Sequence, residues 1–222
     1  MAYVTLDEST LYIKGGMRAD GSSSNQFYSL DLTKDWDVSN PPWKPLNLGV
    51  GSRMPPYGPH HSLVISKDKK SLIYWAIEHG IYVYDIASDS WVSQYPASNA
   101  TSQWGGLRAV ASPYTGLIYV PSGGDSGNTM LEIDLAMNIT RGSTMPAKLK
   151  GVSNYSIVWC TVRGTFLLFG GEFYHPELAF AHPPNTAFYQ YFPITQEWTE
   201  IAWGDGMRCF GRQFYSMGRY IN

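Results

Sequence analysis

Short runs of β-branched and aromatic residues, each stopped by turn chemistry, recur along the whole chain in groups of four. In the first group AYVTL at 2–6, LYIKGG at 11–16 and FYSLDL at 27–32 read as strands, with Asp7-Glu8-Ser9 and the polar stretch MRADGSSSNQ between them, and Trp36 to Leu46 supplies a weaker fourth. The second group is HHSLVIS (60–66), SLIYWAI (71–77), GIYVYDI (80–86) and SWVSQY (90–95). The third is LRAVAS (107–112), GLIYVPS (116–122), TMLEIDL (129–135) and a poor fourth near Ile139 to Ser143. The fourth is NYSIVWCTV (154–162), TFLLFGG (165–171), AFYQYFP (187–193) and EWTEIAW (197–203).

These groups are copies of one another. Asp31, Asp85, Asp134 and Phe192 hold equivalent places about 50 residues apart, the period of a four-stranded propeller blade rather than the ~40–45 of a WD40 blade. A repeat of this kind buries its faces only by stacking on its neighbours, so the expected fold is all-β, a single array over 1–222 with blades at approximately 2–46, 60–95, 107–143 and 154–203. CFGRQFYSMGRYIN at 209–222 reads as the start of a further, fifth blade or as a closing strand. Because AYVTL already fills the place of a first strand in blade one, a partial or open ring is the favoured reading, and its unpacked blade faces predict self-association.

The units resemble kelch repeats, the propeller blades shared with galactose oxidase-like proteins. The resemblance rests on the diglycines Gly15-Gly16, Gly123-Gly124 and Gly170-Gly171, the pairs Tyr28/Asp31 and Tyr82/Asp85, and the tryptophans Trp36, Trp91 and Trp198. His61-Ser62, Tyr155-Ser156 and Tyr215-Ser216 resemble the opening of a kelch first strand, and DLTKDWDVSNPPW is similar to fungal extracellular kelch proteins. Unit two has Ala76-Ile77 in place of the diglycine, unit three lacks the tryptophan, and unit four has Phe192 in place of the Asp. The glycines permit backbone torsions that a Cβ blocks, and the aromatic rings fill the space between blades.

Composition narrows the function classes. A net charge of −2 offers no basic field for a phosphate backbone, which excludes nucleic acid as an expected partner. The chain holds no apolar run of about 18 residues, so no membrane span is expected. Two cysteines, Cys160 and Cys209, match no metal spacing and read as buried or free thiols ahead of a disulfide. Sequons at Asn99, Asn138 and Asn154 lean toward a secretory origin, yet MAYVTLDEST has no signal-peptide character. A fragment of a secreted precursor, extracellular or at the cell surface, reconciles them; otherwise the compartment is cytoplasmic.

No catalytic set, metal site or cofactor emerges. The resemblance to galactose oxidase implies a copper-radical alternative, with Tyr174-His175 similar to its adjacent Tyr-His ligands, but no Cys–Tyr pair is identifiable and the chain is short for that enzyme. SGGDSGNTM at 122–130 resembles a degraded Asp-box, a structural turn. The polar and aromatic loop residues Arg18, Asp20, Arg53, Tyr57, His60, Gln103, Trp104, Phe173, Tyr174, His175, Arg208 and Arg212 are the binding candidates, on loops that in kelch proteins often form the ligand face. One of His60 and His61 is expected to be a satisfied core histidine. The expected function is a non-catalytic scaffold recognising a protein, or a glycan, with the insertion EFYHPELAFAHPPNT (172–186) as its most individual loop.

Overall fold

In the computed structural model the described residues are 2–6, 9–48, 55–56, 61–76, 79–95, 108–122, 128–134, 136, 138–149, 152–153, 155–173 and 188–201. They form a four-bladed β-propeller of four antiparallel, four-stranded sheets in up-and-down order. Blade one comprises β1 (Ala2–Leu6), β2 (Thr10–Lys14), β3 (Phe27–Asp31) and β4 (Lys44–Pro45). Blade two follows with β5 (Ser62–Ile65), β6 (Ser71–Ala76), β7 (Gly80–Asp85) and β8 (Ser90–Tyr95). Blade three has β9 (Val110–Ala111), β10 (Ile118–Ser122), β11 (Thr129–Ile133) and β12 (Ile139–Thr144). A two-residue strand β13 (Val152–Ser153) precedes blade four, which consists of β14 (Ser156–Cys160), β15 (Thr165–Phe169), β17 (Phe188–Phe192) and β18 (Glu197–Glu200). Between β15 and β17, β16 (Glu172–Phe173) pairs with β13 as a separate ribbon.

Of the two weak fourth strands, that of blade one is as weak as its sequence suggests and that of blade three is stronger. Trp36 to Leu46 contributes only the exposed Lys44 and Pro45, because its paired prolines, Pro41 and Pro42, cannot donate to a ladder. Ile139 to Ser143, by contrast, is a full strand with a bulge opposite Thr129–Leu131.

First strands lie side by side from blade to blade, β1 on β5, β5 on β9 and β9 on β14. Among the described residues β14 and β1 show no packing of that extent. Residues 209–222 lie outside the described residues.

Burial follows the two-residue period of each strand. Tyr12 and Phe27 of blade one meet Leu72, Tyr74, Tyr82, Tyr84 and Trp91 of blade two. Ile73, Trp75 and Ile81, on the opposite side of blade two, join Ile118, Val120, Met130 and Ile133 of blade three and Phe166, Leu168, Tyr189 and Tyr191 of blade four in one continuous core. The far side of blade four carries its own cluster, Cys160, Leu167, Phe188 and Ile201.

The repeated polar residues turn out to be joints and caps. Trp91 Nε1 donates to the Asn47 carbonyl at the end of blade one (3.0 Å), and Trp198 Nε1 donates to Ser143 Oγ of blade three (3.1 Å). Each tryptophan thus ties its blade to the outer strand of the one before. Asp31, Asp85 and Asp134 cap the turn after the third strand, accepting from Thr33, Ser88 and Asn138 backbone N–H groups at 2.9, 2.7 and 2.9 Å. The diglycines before that strand are left-handed where described: Gly15 has φ 67° and Gly170 φ 70°.

Cys160 corrects the sequence reading. It is disulfide-bonded rather than a free thiol, and the chain's other cysteine, Cys209, lies outside the described residues. Two cysteines distant in sequence carry no spacing signal; only the tertiary fold brings a partner to the end of β14.

Candidate functional site

Strand direction places the loops. Within every blade the antiparallel register puts the end of the second strand, the start of the third and the end of the fourth at one edge: Lys14 pairs with Phe27, and Leu46 N–H donates to the Phe27 carbonyl at 3.0 Å. Blade four repeats this, with Phe169 paired to Phe188 and Ile201 N–H donating to the Phe188 carbonyl at 2.8 Å. The loops joining strands two and three and the links between blades therefore all emerge at one end, called here the loop end. At the opposite end sit the Asp-capped turns.

Of the twelve candidates, Arg18 and Asp20 have described side chains, both exposed in the loop between β2 and β3. Asp20 is occupied by its own loop: its Oδ1 accepts from Ser22 N–H (2.9 Å) and Ser22 Oγ (2.6 Å), bonds that hold the carboxyl below the usual range, with the Arg18 charge adding to the effect. Arg18 N–H donates to the Ser22 carbonyl at 2.8 Å, which tightens the same loop. Phe173 ends β16, so the β13–β16 ribbon anchors the base of the 172–186 insertion at the loop end. Arg53, Tyr57, His60, Gln103, Trp104, Tyr174, His175, Arg208 and Arg212 lie outside the described residues.

A polar cluster that the candidate set omits sits beneath these loops, between blades one and two. Lys14, the last residue of β2, is only 2% exposed. Its Nζ stands 5.3 Å from the centroid of the Tyr74 ring. Burial alone pushes the amine down from 10.5 to about 8, and no neighbouring charge among the described residues offsets it. Tyr74 is fully buried, hydrogen-bonds with His61 Nδ1 and donates toward the Pro56 carbonyl at 3.2 Å. The His61 and Tyr74 rings meet edge to face at 5.3 Å. His61 is thus the satisfied core histidine of the pair, buried at 7% exposure.

The equivalent opening in blade four is built differently. Tyr155 stands where blade two has His61, is completely enclosed, and donates its hydroxyl to the Pro121 carbonyl of blade three. Burial pushes its pKa well above the usual tyrosine value, and Arg108, through its backbone and its charge, opposes that rise from the adjacent link. Ala109 N–H donates to Ser62 Oγ of blade two at 2.9 Å, which seats the Arg108 segment across three blades. Trp75, the residue after Tyr74 and on the other side of β6, has a buried indole N–H with no acceptor among the described residues. Asn128, just before β11 in blade three, has a buried side-chain oxygen with no donor among the described residues, so the described part of the loop end carries unmatched polar groups of both kinds.

One signal of Lys14 was present in the sequence. In LYIK the two-residue period that buries Tyr12 also buries position 14, so a lysine there occupies an inward place. Tyr74 and Arg108 gave no such signal, since their roles depend on which blade faces which.

No protein-family model and no curated protein matches the chain. Solved structures do resemble it. YjhT superposes with a TM-score of 0.63 at 15% identity, over 90% of this chain and 64% of that one. A protein of unknown function from Bacteroides thetaiotaomicron does so with a TM-score of 0.57 at 12% identity, over 90% of this chain and 46% of that one. The chain spans less than two thirds of the length of either, and at these identities what it shares with them is the fold, a β-propeller.

Proposed function

We propose that this chain is a kelch-type propeller serving as a non-catalytic scaffold, which recognises a protein or glycan partner through its loop end. One observation carries the reading: every variable loop and link leaves the blades at the same end, above a rigid core, while the other end is occupied by capped turns that repeat from blade to blade. Variation concentrated on one end of a stiff support is the arrangement of a binding surface. Rooting of the 172–186 insertion by the β13–β16 ribbon supports a role for that loop, since an anchored loop loses less entropy when a partner fixes it.

The copper-radical oxidase alternative requires a cysteine sulfur joined to a tyrosine ring. Cys160 has its sulfur in a disulfide, which argues against it as that cysteine. The same disulfide supports an oxidising compartment, and with it the secreted origin toward which the sequons lean.

Replacing residues 174–186 by a short Gly-Ser linker tests the proposal. The folded variant should lose capture of the partner that the parent chain retrieves from a secreted-protein or glycan library. Equal capture by both, or turnover of an alcohol with copper bound, would overturn it.

A further inference from the structure

We propose that the loop end holds a specific oxyanion site, in which the carboxylate or phosphate group of a small ligand docks on the ammonium of Lys14 between blades one and two. The inference rests on reading the loop end as the binding face.

Four observations converge on it. Lys14 is 2% exposed yet meets no carboxylate and no hydrogen-bond acceptor among the described residues, its one close partner being the Tyr74 ring. A buried ammonium in that condition is costly unless an anion reaches it. The groups around it bring no negative charge of their own: Tyr12 on the same side of β2 and Tyr74 and Tyr82 across the blade interface are phenols whose pKa burial raises, which keeps them neutral, and His61 is engaged with Tyr74. Approach from the loop side is also unscreened at the next two positions, since Gly15 and Gly16 have no side chains and are both left-handed, with φ 67° and 122°. Finally, the described charges at this end are weighted to one sign. Arg18, Arg108 and Lys148 are cations, and the described carboxylates Asp20 and Glu200 are committed to Ser22 and Lys148.

The ligand's anionic group replaces the missing counter-charge, so docking also stabilises the protonated amine. For a ligand that stays ionised, affinity is accordingly flat below pH 8 and falls by up to ~tenfold per pH unit above it, as binding comes to require proton uptake by Lys14.

The test uses the full chain, with inorganic phosphate and acetate as separate probes, and follows the Lys14 13Cε resonance by NMR. Saturable displacement of that resonance is expected, with the amine's titration moving upward from about 8 as the anion is added. K14M should abolish the displacement of neighbouring signals from Tyr74 and His61, whereas R18A should leave them intact. The probe that saturates at lower concentration identifies the carboxylate or the phosphate as the preferred group. A Lys14 titration that neither anion moves would overturn the proposal on the parent protein itself, whether or not K14M folds. So would phosphate binding that survives K14M. Because this experiment contains no partner and the loop-replacement capture contains no added anion, either reading can fail while the other stands.

Discussion

Lys14→Met is expected to make the protein more stable at neutral pH, although it removes a charged residue from beside an aromatic ring. The fall of the amine from 10.5 to about 8 corresponds, at about 1.4 kcal/mol per tenfold change in proton affinity, to about 3 kcal/mol of strain in keeping Lys14 charged within the fold. The cation–π contact with Tyr74 returns about 1 kcal/mol. Methionine matches the length of the aliphatic stem without the charge, which leaves a net gain of about 2 kcal/mol at pH 7. The pH dependence has a definite sign. Below pH 8 the amine is protonated in both states and the full penalty applies. Between about 8 and 10.5 the unfolded chain binds a proton that the folded chain does not, so stability rises with pH. Tyrosines act in the opposite sense only above pH 10, where the unfolded chain ionises first because burial raises Tyr74, Tyr84 and Tyr191 in the fold. Urea denaturation between pH 7 and 9.5, in chloride buffers free of phosphate and carboxylates, should show wild-type stability climbing by about 2 kcal/mol and K14M flat. A flat wild-type profile, or a K14M protein less stable than its parent at pH 7, would refute the account of Lys14 as a buried, uncompensated cation.

The tryptophan joints predict unequal losses. Trp91→Phe should cost about 1 kcal/mol through the bond to the Asn47 carbonyl, while Trp91→Ala should cost about 3–5 kcal/mol by opening a cavity among Phe27, Tyr74 and Tyr84. Chemical denaturation of both variants checks the ratio, and equal losses would mean that the ring's packing is not what matters. Breaking the Cys160 disulfide with reductant should lower stability by about 2–4 kcal/mol and release thiols in equal number to the cysteines, measurable by thiol titration before and after reduction. Free thiol in the untreated protein would contradict it.

Strand positions were legible because alternation is a local property: Leu72, Tyr74 and Ala76 face one side of β6 and Ile73 and Trp75 the other, and the sequence SLIYWA displays that period directly. The capped turns were equally visible as a recurring Asp. What alternation does not encode is which blade face meets which, and the functional cluster lies in that gap. Lys14 belongs to blade one, Tyr74 and His61 to blade two, and Pro56 to the link between them, so their meeting exists only after stacking. The fourth strand of blade three exceeded its sequence for a related reason. β12 is held in place by β11 rather than by its own propensity, whereas β4, an edge strand like β12 but interrupted by prolines, shrinks to two residues. Loop residues chosen for their chemistry alone, such as Asp20, proved to serve their own turn.

The joint between blades also bears on how such a protein can grow. Trp91 reads a main-chain carbonyl at Asn47, an atom that any residue supplies, and Trp198 needs no more than a small hydroxyl at Ser143. The fastening is thus carried by the incoming unit and makes almost no demand on the side chains of its predecessor. A gene duplication that copies one blade copies the fastener with it, and the new copy can attach behind any existing blade without a matching mutation. Blade three, which lacks the tryptophan, is where that freedom has been surrendered to the wide hydrophobic seam joining it to blade two, and a transplanted blade would have the greatest difficulty taking its place.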